Sequence, residues 1–317
     1  MRRIQVLEGD LKSCFDQISH DWLLQHIPMD REGLRKWLRA GYLEKGRLYP
    51  TEAGTPQGGL ASPLLANMTL DQLEPAIRAV VHRRDKVNFV RYADDFMVTA
   101  ARREILEERI KPVIVAFLRE RGLRLSEEKT RIIHIEEGFD FLGHNLRKRG
   151  KKLLITPSHK AMAGIKDKAR QCIRRCRGLT TEVLIRTLNP ILRGWANYHR
   201  YSVAREAFYQ VQRYVNDLLW RWARRRHSNK SYTWIRRKYN PAASEGAFST
   251  WVRTREGKPR LLKAWNLLQT VMERHIKVKA EANPYPPDGV KYFEPRRSFA
   301  RRGYPVGNRS PLAATGV

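Results

Sequence analysis

The chain has 317 residues, 42% of them hydrophobic, and a formal net charge of +30. This length exceeds that of one typical domain and the apolar content can build a core, so we expect two packed units. Three cysteines are too few for a disulfide framework, and none lies near a histidine at zinc-ligand spacing. No apolar run could span a bilayer and the first residues lack a signal-peptide core, so we expect a cytoplasmic protein that does not engage a membrane.

The excess positive charge lies almost entirely in the second half of the chain. Residues 1–143 contain 23 basic and 22 acidic side chains, a net charge of +1, whereas residues 144–317 contain 39 and 10, a net charge of +29. This division indicates chemistry in the first half and polyanion binding in the second. A merely solubilising basic surface is the alternative, and the tryptophans and tyrosines interleaved with the charges argue against it.

The first half mixes predicted strands and helices. Residues 4–10 are an apolar run that ends on an aspartate and predict a strand, and residues 11–27 carry apolar side chains at helical spacing. A loop rich in Gly and Pro within residues 52–81 is predicted to open a long helix. Because strands and helices are interspersed, the predicted fold class of this unit is α+β.

Two adjacent carboxylates, Asp94 and Asp95, lie at the tip of a β-hairpin predicted over residues 87–100. Neighbouring carboxylates repel each other, so this pair indicates a divalent cation or a basic partner. Asp10 ends a different strand, and one sheet could place all three side by side. Three carboxylates can hold two Mg²⁺ ions, which activate an attacking hydroxyl and stabilise a leaving pyrophosphate.

The second half is helical and basic. Segments 158–177, 180–200 and 203–226 each carry apolar side chains at helical spacing, which predicts a three-helix bundle. The segment after residue 280 is rich in Pro, Gly and Arg, and we expect it to be mostly disordered.

Three motifs resemble the reverse transcriptases encoded by bacterial group II introns, the maturases. They are EGDLKSCFD, which begins at Glu8, GTPQGGLASPLLANM, which begins at Gly54, and YADD at residues 92–95. A lone YADD would be weak, but three motifs in order at suitable separations are specific. The resemblance extends to at least Arg226.

The resemblance implies three regions. Residues 1–143 would form an α+β polymerase palm, with a small antiparallel sheet and flanking helices. Residues 144–280 would form the all-α thumb and maturase bundle. Residues 281–317 would be the disordered basic tail.

The resemblance also implies roles for residues of the first region. Asp10, Asp94 and Asp95 would be the metal ligands of the catalytic site. The residues implied in nucleotide binding are Leu11, Phe15, Gln57, Gly58 and Tyr92. The Leu11 carbonyl could also ligate metal. Phe15 would lie under the incoming sugar and exclude a 2′-hydroxyl. The alternative role of this ring is to anchor the hydrophobic core.

Further along the chain, Lys129 resembles a lysine that approaches the triphosphate and protonates pyrophosphate, although a solvated surface lysine is the alternative. Phe141, Leu142 and Gly143 resemble the hairpin that grips the primer end, and they could equally be strand core. The arginines predicted to bind RNA beside aromatic side chains are Arg193, Arg200, Arg205, Arg213, Arg221, Arg224, Arg225 and Arg226.

Two features depart from the family pattern. Family members carry a long fingers segment before the first catalytic aspartate, whereas Met1 lies nine residues ahead of Asp10. We therefore expect a truncated copy, a piece that works with a fingers-bearing partner chain or as a homodimer, or the product of a degraded intron. No cysteine follows Cys176, so we do not expect a cysteine-held nuclease.

The leading hypothesis is an RNA-directed DNA polymerase that uses two Mg²⁺ ions, dNTPs, and an RNA template with a DNA primer, and that binds group II intron RNA to assist splicing. The alternatives are a non-enzymatic RNA-binding splicing factor and an inactive truncated copy. An RNA-copying RNA polymerase shares the metal geometry, but Phe15 and the context of Ala93 argue against it.

Overall fold

The chain divides into two compact units in its computed structural model. Residues 1–142 and 146–153 form the first unit, and residues 143–145 and 154–317 form the second. Helices and small antiparallel sheets confirm the predicted α+β class. The structure describes residues 4–44, 46–49, 51, 53–55, 59–241, 247–254, 256–273, 278–279, 282 and 290–294. The predicted disordered tail, residues 281–317, lies almost entirely outside these ranges.

A four-stranded antiparallel sheet carries the predicted carboxylates of the first unit. In spatial order, its strands are β4 (Asn88–Tyr92), β5 (Asp95–Ala100), β1 (Gln5–Gly9) and β6 (Arg131–His134). Gly9 pairs with Phe96, and a Cβ on Gly9 would lie only 2.2 Å from the Phe96 ring. A glycine is therefore needed at the end of β1, directly before Asp10.

The two faces of this sheet contact different clusters. Leu7, Phe96 and Val98 belong to the main core, which also contains the apolar side chains of the helices. Val6 and Met97 alternate with them and belong to a smaller cluster on the other face. The helices of this unit are α1 (Cys14–Gln17), α2 (His20–His26), α3 (Arg31–Arg39), α4 (Ser62–Thr69), α5 (Leu73–Ala79) and α6 (Lys111–Glu120). A short hairpin, β2 (Tyr42–Glu44) and β3 (Arg47–Tyr49), follows α3.

The single helix predicted over residues 11–27 is two helices, α1 and α2. Ile18 between them has an extended ψ of 127°, and its carbonyl accepts a hydrogen bond from Gly54 N. Ser19 then caps α2 by accepting a hydrogen bond from Trp22 N. The tertiary contact and the cap therefore override the helical spacing.

The long helix predicted within residues 52–81 is also broken in two. Gln72, between α4 and α5, has a φ of 66°. Pro75 has no amide hydrogen, and in a continuous helix its ring would clash with the carbonyl of Asp71, four residues earlier. The chain therefore starts a new helix at Leu73.

A three-stranded sheet follows along the chain. Its strands are β7 (Phe139–Phe141), β8 (His144–Arg149) and β9 (Lys152–Pro157). Leu142 and Gly143 form the two-residue turn between β7 and β8, with φ values of 48° and 74°. Positive φ at both positions is typical of a tight hairpin, as predicted for this segment.

Three long helices form the core of the second unit, as predicted from helical spacing. They are α7 (His159–Arg175), α8 (Thr181–His199) and α9 (Arg205–Arg226). Ser158 and Thr180 cap α7 and α8 by accepting backbone hydrogen bonds. The smaller elements are α10 (Tyr232–Tyr239) and a hairpin of β10 (Ser249–Arg253) and β11 (Pro259–Lys263). Within the described part of the chain, no helix is long and apolar enough to cross a membrane.

A buried arginine joins three helices of the first unit. Arg121 is 9% exposed, and it donates hydrogen bonds to the carbonyls of Thr69, at 3.0 Å, and Phe117, at 2.8 Å. Its guanidinium also lies 3.4 Å from the centroid of the Phe117 ring and 4.7 Å from that of Trp22. The side chain therefore satisfies helix-end carbonyls that water does not reach.

We expect Arg121→Met to lower the free energy of unfolding by about 2–4 kcal/mol, because two buried carbonyls lose their donors. Urea unfolding measures this change. Arg119→Met is the matched control, since Arg119 is exposed on the same helix. Equal stability of the two variants would contradict the bonding role of Arg121.

The second unit contains a buried histidine pair. His199 is 1% exposed, and its Nδ1 lies 3.1 Å from His144 Nε2. Burial, and secondarily the nearby His144, lower the pKa of His199 from 6.5 to about 4. His199 therefore remains neutral in the folded protein at neutral pH.

We expect this histidine to make stability depend on pH. Between pH 6.5 and pH 4 the unfolded chain binds a proton at His199 and the folded chain does not, so the free energy of unfolding decreases as the pH falls through this window. The decrease is at most about 3 kcal/mol. Urea titrations across the window should show it, and His199→Gln should remove it. His159→Gln, a change at an exposed histidine, should leave this pH dependence of stability unchanged.

Candidate active site and nucleic-acid interface

Asp10 and Asp95 lie opposite each other at the ends of adjacent strands. Asp10 follows β1, Asp95 begins β5, and the neighbouring residues Gly9 and Phe96 are paired. Both aspartates line one cavity of about 320 Å³ in the first unit. The other charged side chains that line it are Glu8, Glu128, Lys129, Arg131 and Asp140.

Lys129 is the cation nearest to Asp10 in this cavity. Its Nζ lies 2.9 Å from Asp10 Oδ2, although the side chain remains 69% exposed. Asp10, and to a lesser extent Asp95, raise the pKa of Lys129, so the ammonium remains protonated at neutral pH. The structure thus brings the predicted lysine to the predicted carboxylates.

Backbone contacts explain why Lys129 reaches Asp10. The Asp10 carbonyl accepts a hydrogen bond from Ser126 N at 2.8 Å, and Leu11 forms an antiparallel bridge with Leu125. The turn that starts at Ser126 continues with a hydrogen bond from Lys129 N to the Ser126 carbonyl. The segment that bears the lysine is therefore joined directly to the end of β1.

Asp94 lies in the adjoining turn and does not line the cavity. The turn is tight, since Ala93 has a φ of 55°. Burial, and next the charge of Asp94, raise the pKa of the Cys14 thiol to about 12, so the Asp94 carboxylate lies within electrostatic range of Cys14. Two of the three predicted metal ligands thus line the cavity, and the third is one residue away.

The donor atoms of this cavity suit a hard divalent cation. Asp10 Oδ2 is buried and has no hydrogen-bond partner, and its ion pair with Lys129 is its one close polar contact among the described residues. Mg²⁺ prefers one or two carboxylates together with water and substrate phosphates, which Asp10 and Asp95 can provide. Within the described ranges, no three His, Cys, Asp or Glu side chains are grouped so that they could hold a metal ion by themselves.

The predicted nucleotide loop is attached to the segment that bears Phe15. Thr55 N donates to the Phe15 carbonyl at 2.6 Å, and Gly54 N donates to the Ile18 carbonyl at 2.8 Å. Gly54 has a φ of +75°, and a Cβ there would lie 2.2 Å from the Phe15 carbonyl oxygen. Only glycine therefore allows this close approach.

The other predicted nucleotide-binding residues have different surroundings. The Leu11 side chain is buried in the core, while its bridge to Leu125 uses the Asp10 carbonyl and Lys12 N rather than the Leu11 carbonyl. Tyr92 ends β4 and is exposed. Gln57 and Gly58 lie outside the described residues.

The predicted primer grip is a hairpin turn beside the carboxylates. Phe141 and Leu142 line the same cavity as Asp10 and Asp95, and Gly143 completes the turn. Phe141 also packs against the small cluster around Val6, so its ring contributes to the core. These contacts thus support both interpretations of the segment, as a primer grip and as strand core.

The predicted RNA-binding arginines do not form one surface. Arg193 lies 4.5 Å from the centroid of the Trp265 ring, Arg200 forms an ion pair with Glu273, and Arg205 donates to a backbone carbonyl. These three fasten the segment around residues 265–273 to the helices. Arg213 is exposed on α9.

The remaining predicted arginines border a basic groove in the second unit. Arg221, Arg225 and Arg226 of α9 line a cavity of about 610 Å³, and Arg224 lines a neighbouring one. The opposite side of the larger cavity is formed by Arg170, Arg174 and Arg177, and its apolar floor by Ile173, Leu218 and Trp222. We call the larger cavity the arginine groove; it consists of this apolar floor and of six arginines, which are Arg170, Arg174, Arg177, Arg221, Arg225 and Arg226. Among the described residues, Arg174, Arg177 and Arg225 form no ion pair.

Sequence reasoning missed several residues of both cavities. Glu8 forms an ion pair with Arg131 at 2.8 Å. Because Glu8 and Asp10 are two residues apart, they lie on the same strand face, and this spacing could have identified Glu8 as a residue of the site. Arg170 and Arg174 follow each other on one face of α7 at a spacing of four residues, and Arg177 follows three residues later, just beyond the end of the helix. This spacing is the signal in the sequence that indicates a basic face here.

Comparison with known proteins identifies a family match in each half of the chain. Residues 3–146 match the reverse transcriptase (RNA-dependent DNA polymerase) family, and residues 162–240 match the maturase-specific domain of group II introns. YkfC of Escherichia coli K12 is 31% identical over an alignment of 185 residues that covers 46% of this chain and 48% of that protein. The group II intron-encoded protein LtrA of Lactococcus lactis subsp. cremoris is 28% identical over an alignment of 242 residues that covers 53% of this chain and 40% of LtrA.

Among solved structures, telomerase from Candida albicans, solved with a fragment of telomeric RNA, has a TM-score of 0.41 and 12% identity. The match covers 73% of this chain and 48% of that chain, and a similarity of this size supports no statement about function.

The carboxylate-bearing antiparallel sheet and its family match define the first unit as a reverse transcriptase palm. The second match adds a maturase-specific helical domain. The chain therefore belongs to the group II intron reverse transcriptases, the maturases, as the motifs predicted. It spans less than half the length of YkfC and of LtrA.

Proposed function

We propose that the chain is an RNA-directed DNA polymerase of the group II intron maturase type. It would add dNTPs to the 3′-hydroxyl of a DNA primer on an RNA template, and it would bind group II intron RNA to assist splicing. The observation that carries this proposal is the position of Asp10 and Asp95, opposite each other in one cavity with Lys129.

Asp10 and Asp95, with Asp94 from the adjoining turn, would hold two Mg²⁺ ions. When bound, the ions lower the pKa of the primer hydroxyl and stabilise the charge on the leaving pyrophosphate. Asp10 Oδ2, whose one close polar contact among the described residues is the ion pair with Lys129, supports this assignment, and so do the carboxylate donors of the cavity. The Leu11 carbonyl, which the bridge to Leu125 leaves unused, is a further candidate ligand.

In the reaction, the primer 3′-oxygen forms a bond to the α-phosphorus of the dNTP while the bond to pyrophosphate breaks. Lys129 would donate a proton to the departing pyrophosphate. Its position supports this role, because its Nζ lies 2.9 Å from Asp10, one of the carboxylates that would hold the metal ions. Its exposed position would also let a triphosphate approach the ammonium.

The residues around the carboxylates would position the two substrates. Phe15 would lie under the deoxyribose, and Gln57, Gly58 and Tyr92 would contact the nucleotide. The attachment of the Gly54–Thr55 backbone to Phe15 supports a pocket formed jointly by the loop and the ring. Phe141, Leu142 and Gly143 would hold the primer end, and the cavity shared by Phe141 and Leu142 with the carboxylates supports this role.

Primer extension tests the proposal directly. The full chain, an RNA template with an annealed DNA primer, and dNTPs should give Mg²⁺-dependent extension, which EDTA should abolish and added Mg²⁺ restore. Extension that is absent at every Mg²⁺ concentration, while RNA is still bound, would overturn the polymerase assignment.

We expect Phe15→Ala to relax sugar selection in the same assay. Removing the ring leaves space for a 2′-hydroxyl, so the ratio of ribonucleotide to deoxyribonucleotide incorporation should rise about tenfold to a hundredfold. Phe89→Ala is the control, since Phe89 is a partly buried ring of the same core on β4. If both variants lose extension without a change in selectivity, Phe15 is a core anchor.

A second candidate function is a non-enzymatic RNA-binding splicing factor. The arginine groove favours it, because six guanidiniums around one groove in the second unit can bind RNA phosphates without any contribution from the carboxylates. Tight, steeply salt-dependent RNA binding without extension would select this function over the polymerase.

A further inference from the structure

A second cavity lies beside the arginine groove on α9. Its volume is about 370 Å³, and it is lined by Asp217, Trp220, Arg221, Arg224 and Tyr232. Arg221 also lines the groove, so the two cavities adjoin. The volume lies at the lower end of the range for small-ligand sites, which suits one nucleoside better than a run of several. We call this cavity the aromatic pocket.

Aromatic and guanidinium planes form its walls. The ring centroids of Trp220 and Tyr232 are 6.5 Å apart, and Arg224 Cζ lies 5.3 Å from the centroid of the Tyr232 ring. Tyr232 is 51% exposed, so a large part of it is available for stacking. Proteins use such rings and guanidinium planes to stack unpaired nucleic-acid bases.

The carboxylate of Asp217 distinguishes this pocket from the groove. Arg221 Nε donates to the backbone carbonyl of Asp217, at 3.1 Å, rather than to its carboxylate. Within the part of the chain that the structure describes, this carboxylate forms no ion pair. A phosphate would be repelled by it, whereas the donor edge of a base would be attracted.

The hydrogen-bond pattern of the carboxylate selects among the bases. Two carboxylate oxygens accept best from two adjacent N–H donors, and guanine carries these at N1 and its exocyclic amine. Adenine has a single donor group on its Watson–Crick edge, next to an acceptor that the carboxylate would repel. The aromatic walls and the acidic rim together therefore favour an unpaired guanine.

We propose that the aromatic pocket binds one unpaired guanine of the RNA whose neighbouring phosphates occupy the arginine groove. The RNA element is thus a bulge or loop rather than a continuous duplex, since a paired base exposes neither its ring faces nor its Watson–Crick edge. This inference rests on the proposed RNA binding by the second unit.

Fluorescence anisotropy with short RNA hairpins tests it. Three hairpins share one sequence and differ only in a single bulged guanosine, a single bulged adenosine or no bulge. The full chain should bind the guanosine bulge about tenfold more tightly than the paired hairpin, as expected for one stacked base. The affinity for the adenosine bulge should lie between the affinities for the guanosine bulge and the paired hairpin.

Two variants separate stacking from hydrogen bonding. Tyr232→Leu should reduce the affinity for both bulged hairpins to that of the paired one. Asp217→Asn should remove the preference for guanosine over adenosine. Tyr209→Leu should change neither affinity, because Tyr209 is a tyrosine of α9 that is as exposed as Tyr232 of α10 but does not line the pocket.

The outcomes distinguish this inference from the function on which it rests. Equal binding of all three hairpins would overturn the pocket while leaving RNA binding intact. If Asp217→Asn increased the affinity for all three hairpins equally, the carboxylate would merely repel RNA. This result would also overturn the proposed guanine pocket. Failure to bind any of the RNAs would overturn both proposals.

Discussion

Asp10→Asn is expected to reduce Mg²⁺-dependent primer extension on an RNA template by at least about a hundredfold. Asparagine keeps the shape of the side chain and removes one anionic ligand, so the cavity loses affinity for the cation. The same change removes the ion pair that raises the pKa of Lys129, so the proposed proton donor is also affected. Steady-state extension rates at several Mg²⁺ concentrations measure the effect.

The control for this change is Asp71→Asn, because Asp71 is an exposed aspartate of the same unit outside the cavity. Circular dichroism and urea unfolding should show that both variants retain the fold. An Asp10→Asn protein that extends primers at the rate of the unmodified chain would refute the proposed active site.

The three aspartates can also be compared with one another. Asp95→Asn should match Asp10→Asn, since both carboxylates line the cavity. Asp94→Asn tests the turn, where the carboxylate acts on Cys14. Asp94→Asn should reduce extension as well, because Asp94 is the third proposed metal ligand. Unchanged extension in Asp94→Asn would remove Asp94 from the proposed metal site.

Replacing Arg170, Arg174 and Arg177 together by glutamine is expected to weaken RNA binding on the order of a hundredfold at moderate salt. Each arginine that contacts a phosphate releases a counterion, so the slope of log affinity against log salt should become less steep by about 2–3. Filter binding or anisotropy over a salt series measures both quantities. The effect should be similar for different RNA sequences, because phosphate contacts carry no sequence information.

A matched control exists on α3 of the first unit. Arg31, Arg35 and Arg39 are exposed and also recur along one helix, and their replacement by glutamine removes the same charge. The control triple should alter affinity much less than the groove triple. Equal losses in both triples would mean that net charge, rather than the arginine groove, binds RNA.

The predictions from sequence were accurate where short-range patterns decide the structure. An apolar run that ends on Asp10, and an alternating run around Asp94 and Asp95, identified β1 and the hairpin of β4 and β5. Positive φ at Leu142 and Gly143 agrees with the predicted hairpin there. These features depend on residues only a few positions apart.

The predictions failed where distant contacts compete with local preference. The helix predicted over residues 11–27 breaks at Ile18 because its carbonyl bonds to Gly54, which is far away in sequence. Helical spacing also could not show that Arg193, Arg200 and Arg205 contact the segment around residues 265–273 instead of solvent.

For this chain, sequence by itself determined the family, the strand-end positions of the carboxylates and the division of charge between an almost neutral unit and a basic one. These properties follow from residue order and short periodicities. Only the tertiary structure decided that Lys129 meets Asp10 and that arginines of α7 and α9 border one groove. Those pairings depend on how segments distant in sequence pack together, which local spacing does not contain.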